Sequence, residues 1–396
     1  MQKRSLAVIL AGFLTVSIAY AIRYGYGILL PEMLSALRIS KTEAGTIYGV
    51  YFLAYTLGSP VVGHLSDRYN VRIILTLFTA LLGLGAVLMS QAGSVLSASL
   101  YFTIAGLGHA ACWAPVVALV QRWVPDNRRG TALAFATLGS GGGIAMWSLL
   151  LPLIVAAYGW RAGWIWMGFF AWIVATLNYL LVRNPPAEDL PKNVQGAGLR
   201  AVGEQMGPTY RALLTQRLFW RIGLSYALVG FTVLVPYTYL STFAVEHLKF
   251  EYSLAARLIT VIAVCGLLGK VVIGFLSDRL GRVPMMMASN LLMGAGCGGL
   301  ALWDGTVAVF CFTGLFGLGF GAVWPVYAAA APDHFAKQSA GAVIGLWTVF
   351  LGVGSIISPV VCGWVIDVSG GYGTSFLMGA AASAAAMALL VPRRWG

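Results

Sequence analysis

Apolar residues fill this 396-residue chain in long blocks, parted by short clusters of charge, proline and glycine. A helix needs about 20 mostly apolar residues to cross a bilayer. Twelve blocks reach that length, at approximately 6–30, 44–65, 72–92, 95–120, 130–157, 161–183, 219–245, 254–276, 283–303, 305–331, 340–364 and 371–391. A polar stretch over 184–217 divides them six and six. The pattern predicts an all-α membrane protein of twelve transmembrane helices. An N-terminal six-helix bundle spans 1–183, a linker 184–217 and a C-terminal six-helix bundle 218–396.

Composition excludes a water-soluble class. The chain is 59% hydrophobic and 10% charged, where soluble domains carry about 25% charged residues. Lys3-Arg4, an apolar run and Ala19-Tyr20-Ala21 imitate a cleavable secretory signal. The segment is kept as the first span, because its loss would leave eleven.

The net charge is +12, and its placement carries topology. With the N-terminus inside, the inner segments hold 18 of the 25 Lys and Arg. Outer segments hold Arg38, Lys41, Arg161, Lys249 and Arg257, while Arg23 and Lys270 fall within helices. Cytoplasmic loops carry the excess of Lys and Arg, so both termini are expected in the cytoplasm, with the chain in the inner (plasma) membrane and the linker cytoplasmic. The basic balance is then a membrane-face property and implies no nucleic acid. The five cysteines lie in apolar segments, are odd in number and form no CxxC, which reads as packing. The four histidines lack ligand spacing. No cofactor or metal is implied, and no nucleophile–base pair suggests an enzyme. The expected partners are a small-molecule substrate and the lipid bilayer, and a monomer suffices.

The two halves repeat. Gly63-His64-Leu65-Ser66-Asp67-Arg68 recurs 211 residues later as Gly274-Phe275-Leu276-Ser277-Asp278-Arg279. The same spacing of 211 carries Trp113 onto Trp324, Gly130 onto Gly341, and Gly141 and Gly143 onto Gly352 and Gly354. Two bundles of one ancestry, related by a pseudo-two-fold axis along the membrane normal, explain it.

On these residues the chain resembles the major facilitator superfamily over essentially its full length. GHLSDRYNVR and GFLSDRLGR look like the two copies of that family's signature loop, after helices 2 and 8. The second has Gly281 and Arg282 in place, whereas the first has Asn70 and Val71, with Arg72 one step late. The resemblance implies a conformational-switch role for Gly63, Asp67, Arg68, Arg72, Gly274, Asp278, Arg279 and Arg282. Gly63 and Gly274 are expected to let helices approach closely. Gly139-Ser140-Gly141-Gly142-Gly143 lacks the Gly-Lys-Ser/Thr of a phosphate loop and reads as close helix packing or a flexing point.

All thirteen acids fall at helix ends or in loops, so the buried ionisable residues are Lys270, Arg23 and His109. A net positive cavity favours an anionic substrate. Lys270 lies near half depth, with snorkelling toward the cytoplasmic face as the competing reading. Arg23 either faces substrate or reaches the outer headgroups. His109 either carries a coupling proton or is a structural hydrogen-bonding residue. In the family, helices 1, 4, 7 and 10 line the cavity, which implies contributions from Tyr24, Tyr26, Trp113, Tyr237, Trp324 and Tyr327. Packing is the competing role for each of them.

GLGHAACWAPVVALVQRWVPDNRRG, followed by GSGGG, is similar to the oxalate/formate antiporter and monocarboxylate transporter branch. In that branch helix 8 carries a cation, usually Arg, that binds the substrate carboxylate, and Lys270 occupies the corresponding place. Lys offers a point charge rather than a bidentate fork. Residues 340–364 contain no Lys or Arg, where the branch's dicarboxylate carriers add a second cation. The resemblance implies alternating-access transport of a small organic monoanion, with proton symport favoured over exchange. The rival reading is an efflux carrier of drug-like or sugar molecules in which Lys270 is structural.

Overall fold

The computed structural model describes residues 3–124, 126–183, 213–335 and 340–391. Twelve α-helices account for most of them, with no strand among the described residues. They are α1 Lys3–Leu37, α2 Lys41–Arg68, α3 Val71–Met89, α4 Val95–His109, α5 Ala114–Trp123, α6 Asp126–Leu181, α7 Arg217–Glu246, α8 Tyr252–Leu280, α9 Arg282–Leu302, α10 Thr306–His334, α11 Ala340–Ser369 and α12 Gly373–Leu390. Most of the expected linker, 184–212, lies outside the described residues.

Helices and spans do not map one to one. By length and composition ten stretches qualify as membrane spans, one of them Thr131–Leu181 with 51 residues. At 1.5 Å per residue that stretch is about 75 Å long, over twice a bilayer core. Gly159, at φ 78° and ψ 169°, breaks it into the fifth and sixth spans. α2 is the twelfth span, long enough to cross but with Lys41, Glu43, Asp67 and Arg68 at its ends. Conversely, the fourth span is not the continuous helix the pattern predicts. It breaks between α4 and α5, with Trp113 at φ −120° and ψ −73°. Pro115 causes the break, because it lacks an N–H for the carbonyl one turn back and its ring crowds that carbonyl.

The repeat is visible in the backbone. The turns after α1 and α7 each hold a non-glycine residue in the left-handed region, Arg38 (φ 54°) and Lys249 (φ 58°), again 211 residues apart. The two signature loops differ for a local reason. Gly281 adopts φ 93°, which glycine tolerates. Its counterpart Asn70 sits at φ −62° and instead caps α3, its side chain accepting from the Arg72 N–H.

The halves meet along α1 with α7, α2 with α11, and the fifth span with α8. Contact is tightest at the face opposite the basic loops. A Cβ on Gly27 would lie 1.9 Å from the Tyr237 carbonyl oxygen, and one on Gly45 2.1 Å from that of Pro359. Asp367 of α11 accepts from the backbone N–H groups of Lys41 (3.1 Å) and Thr42 (2.8 Å) and from the Thr42 hydroxyl (2.6 Å). A carboxylate of one half thus meets the positive end of a helix of the other. Lys41 pairs with Glu246 at 3.0 Å, and Tyr372 donates to Glu246 at 2.7 Å.

Gly63 and Gly274 correct an expectation. A Cβ on either would meet nothing within 4 Å. They face open space because the halves separate toward the basic face. Close packing falls to the glycine-rich run, where Cβ atoms on Gly139 and Gly143 would lie 2.4 and 2.1 Å from the Phe13 and Ser17 carbonyl oxygens of α1.

Gly143→Ala should therefore force α1 from the fifth span, at a cost of about 1–3 kcal/mol, and lower the melting temperature of the purified protein. Gly274→Ala should leave it unchanged or slightly raised, because alanine favours helix by about 1 kcal/mol. Equal melting temperatures for the two variants would contradict the packing described.

Candidate substrate-binding site

Three adjoining cavities run between the halves. The largest, of about 480 Å³, lies toward the basic face and is lined by Lys270, Thr137, Tyr226, Trp347 and Tyr327 among others. A second, of about 30 Å³, joins Lys270 to Tyr20 and Phe320. The innermost, of about 60 Å³, holds Arg23 with Tyr20, Tyr24, Phe52 and Tyr55. Trp113 and Trp324, the pair related by the repeat, line all three. The break in the fourth span is what frees Trp113 from a helical register.

Arg23 is 3% exposed. It does not reach toward headgroups, because its guanidinium turns into an aromatic cage. The ring centroids of Tyr55, Tyr20, Phe52 and Tyr51 lie 4.3, 5.1, 5.1 and 5.8 Å from its Cζ. Rings at these distances stabilise a desolvated cation by up to about 2 kcal/mol each, but they accept no strong hydrogen bond. Nε and Nη2 of Arg23 are buried and make no hydrogen bond of normal geometry, with the Tyr24 and Tyr51 hydroxyls as the nearby side-chain acceptors. No ion pair among the described residues includes Arg23 or Lys270.

Lys270 lies at the junction of two cavities, and its ammonium donates to the Thr137 carbonyl (3.3 Å) and the Ser140 hydroxyl (3.4 Å) across the contact between halves. These are long, neutral contacts that leave its charge unpaired.

The remaining predicted residues divide. Tyr24 lines the Arg23 cavity and stacks on Tyr237 at 3.8 Å, joining the two halves. Tyr237 stands behind it, absent from the linings of the three cavities, with its hydroxyl buried and unpartnered. Tyr26 points away, donating to the Ala44 carbonyl at 2.7 Å and stacking on Phe102 at 5.0 Å, a packing role. Tyr327 stacks on Tyr226 at 4.4 Å, and its hydroxyl bonds Ser225 (2.7 Å) and Asn290 (3.2 Å). His109 is fully buried behind the cage, its Nδ1 2.6 Å from the Tyr51 hydroxyl.

α2 supplies cage residues that the sequence reading omits. Tyr48, Tyr51, Phe52 and Tyr55 recur at helical spacing, a legible aromatic stripe. The family expectation assigns the lining to other helices and so passes over it.

At the basic face, Arg282 pairs with Asp278 (2.6 Å) and Asp333 (3.0 Å) and donates to Ser277 (2.6 Å), tying α8, α9 and α10 together. Arg279 lies 4.4 Å from the Phe275 ring, and Arg72 lies 4.0 Å from that of Tyr179. Arg68 is exposed, and the Asp67 side chain lies outside the described residues.

A family model described as Major Facilitator Superfamily matches residues 12–269 and 251–394. The chain is 27% identical to the probable galactarate/D-glucarate transporter GudP of Bacillus subtilis (strain 168), over 96% of this chain and 90% of that protein. It is 25% identical to monocarboxylate transporter 11 of Homo sapiens, over 93% and 78%. Among solved structures, a bacterial homolog of the human lysosomal transporter Spinster, inward-facing and unoccupied, superposes with a TM-score of 0.78 at 17% identity, covering 99% of this chain and 95% of that one. With the fold, the internal repeat and the family match in agreement, the chain belongs to the Major Facilitator Superfamily, a family of transporters and not of enzymes.

Proposed function

We propose that this protein carries a small organic anion, a monocarboxylate, across the inner membrane by alternating access, with a proton as the coupled ion. The observation that carries the reading is Arg23, a buried guanidinium with two unpartnered donor atoms and no facing acid among the described residues, inside a cavity that continues to Lys270. An ionised carboxylate is the ligand that such a donor set lacks. Lys270 draws the anion in at the mouth, and Arg23 holds it at the inner end. The names of the two relatives, which give sugar diacids and monocarboxylates, support an organic anion. The absence of Lys and Arg from residues 340–364 favours a single carboxylate.

With the basic face in the cytoplasm, the structure is the inward-open state. The Asp367 and Glu246 contacts close the outer side, and bundles 1–183 and 218–396 rock about the site. The cluster of Asp278, Arg282 and Asp333 then belongs to the side that must close in the opposite state.

The volume of about 480 Å³ near Lys270 favours one competing reading, a bulkier neutral or cationic cargo. Thermal-shift titration of the purified protein with carboxylates, sugars and drug-like cations separates the two, because a ligand of the folded state raises the melting temperature. Carboxylates should stabilise the wild type. Arg23→Gln should weaken that binding at least thirtyfold, from the roughly 2–5 kcal/mol cost of breaking a buried charged contact, and Lys270→Gln less. Stabilisation by sugars or cations, unchanged in Arg23→Gln, would overturn the proposal.

The outer contacts give a second prediction. Ser241 is 1% exposed, with its hydroxyl unpartnered, near the closed face of α7. In a background without native cysteines, Ser241→Cys should react slowly with a water-soluble thiol reagent added outside. Adding Asp367→Asn should speed the reaction about two- to fivefold, matching the roughly 0.3–1 kcal/mol of a carboxylate at a helix N-terminus. An unchanged rate would show that Asp367 does not hold the outer side shut.

A further inference from the structure

We infer that Tyr51 couples occupancy of the Arg23 pocket to a proton on His109. The inference rests on the anion reading of that pocket and supplies its coupling mechanism.

Tyr51 stands between the two groups. Its hydroxyl is 2.6 Å from His109 Nδ1, and its ring centroid is 5.8 Å from the Arg23 guanidinium carbon. Tyr51 and His109 are fully buried, and Arg23 nearly so. The groups facing His109 can be named from each packed element. α1 presents the Tyr20 ring at 5.5 Å, with Arg23 one turn beyond. α2 presents the Tyr51 hydroxyl and the Tyr55 ring, the latter at 5.1 Å. Cys112 follows three residues later in the same span. No ion pair among the described residues includes His109, and an arriving anion would balance its charge.

The tautomer of neutral His109 with its proton on Nε2, a nitrogen without a partner among the described residues, provides a switch. While His109 is neutral with Nδ1 as acceptor, the Tyr51 hydroxyl donates its proton to Nδ1. A protonated imidazole has donors at both nitrogens. Nδ1–H must then donate to the Tyr51 oxygen, and the Tyr51 proton turns elsewhere. The neighbouring Arg23 pocket is where an acceptor arrives, in the form of a carboxylate. Protonation of His109 therefore adds a donor in the cage wall beside Arg23, behind the lining of the empty cavity, which does not include Tyr51. In return, a carboxylate on Arg23 removes the repulsion between two cations in a medium of low dielectric. Each ligand strengthens the other by the same factor. One monoanion and one proton bind together, and the loaded carrier has the charge of the empty one.

The test is anion affinity against pH. Purified full-length protein in nanodiscs, and each variant again with Lys270→Gln to remove the mouth lysine's own titration, is titrated with lactate, pyruvate and D-glucarate between pH 5.5 and 8.5. For a probe that binds, wild-type Kd should rise about tenfold per pH unit on the alkaline side of the His109 transition, the limit for one linked proton. His109→Gln should give a flat profile. Tyr51→Phe should flatten the slope to less than threefold across the range, whatever its affinity at pH 8.5. A residue that only braces the cage would shift Kd equally at every pH and keep the slope. A wild-type slope retained in Tyr51→Phe or in His109→Gln would overturn the inference, as would a wild-type profile already flat. Failure of all three probes to bind the wild type at any pH would instead count against the anion reading beneath it.

Discussion

A guanidinium buried without a counter-ion among the described residues is the constraint around which this molecule is arranged. At the centre of a bilayer an arginine costs at least about 2.5–3.5 kcal/mol. Four aromatic rings recover part of that through cation–π attraction, yet leave Nε and Nη2 without a hydrogen bond of normal geometry. A fold selected for stability alone would place a carboxylate beside Arg23 or replace it. Under the proposed function the unmet donors are reserved for a ligand, which would make binding stronger at the expense of the empty state.

In the proposed alternating-access cycle, the rest of the architecture would keep that site reachable from one side at a time. Near the face opposite the basic loops, glycines bring backbones of the two halves into contact, and Asp367 and Glu246 add polar bonds that hydration can replace. These contacts suit a seal that must open. Toward the basic face, Gly63 and Gly274 look into open space at positions where the other half would close. The repeat makes such an exchange natural, because each half presents a similar surface at each end. Lys270 bonds the neighbouring half only through long contacts with a carbonyl and a hydroxyl, so closing or opening there costs little.

The sequence made the fold legible because bilayer thickness dictates span length, and helix bounds differ from the apolar blocks by only a few residues in most spans. It obscured the break in the fourth span, since Ala110 to Trp113 is as apolar as its surroundings and the effect of Pro115 depends on the local backbone. The site was legible by charge and less so by contact. An arginine amid apolar residues stands out in any window, but three of its four cage rings come from α2, a helix chosen by three-dimensional packing and not by proximity in the chain. Tyr26 shows the reverse. Its helix lines the cavity, yet its own angular position turns it to Ala44 and Phe102. The direction of a single side chain about a long helix is what apolar periodicity resolves least when nearly every face is apolar.

The most direct measurement is an experimental structure of the purified carrier with a bound carboxylate. Carboxylate density is expected inside the aromatic cage, with an oxygen about 2.7–2.9 Å from Arg23 Nε or Nη2, the range of a charge-assisted hydrogen bond. A carboxylate held by Lys270 alone, with the cage occupied only by water or by rearranged tyrosines, would contradict it.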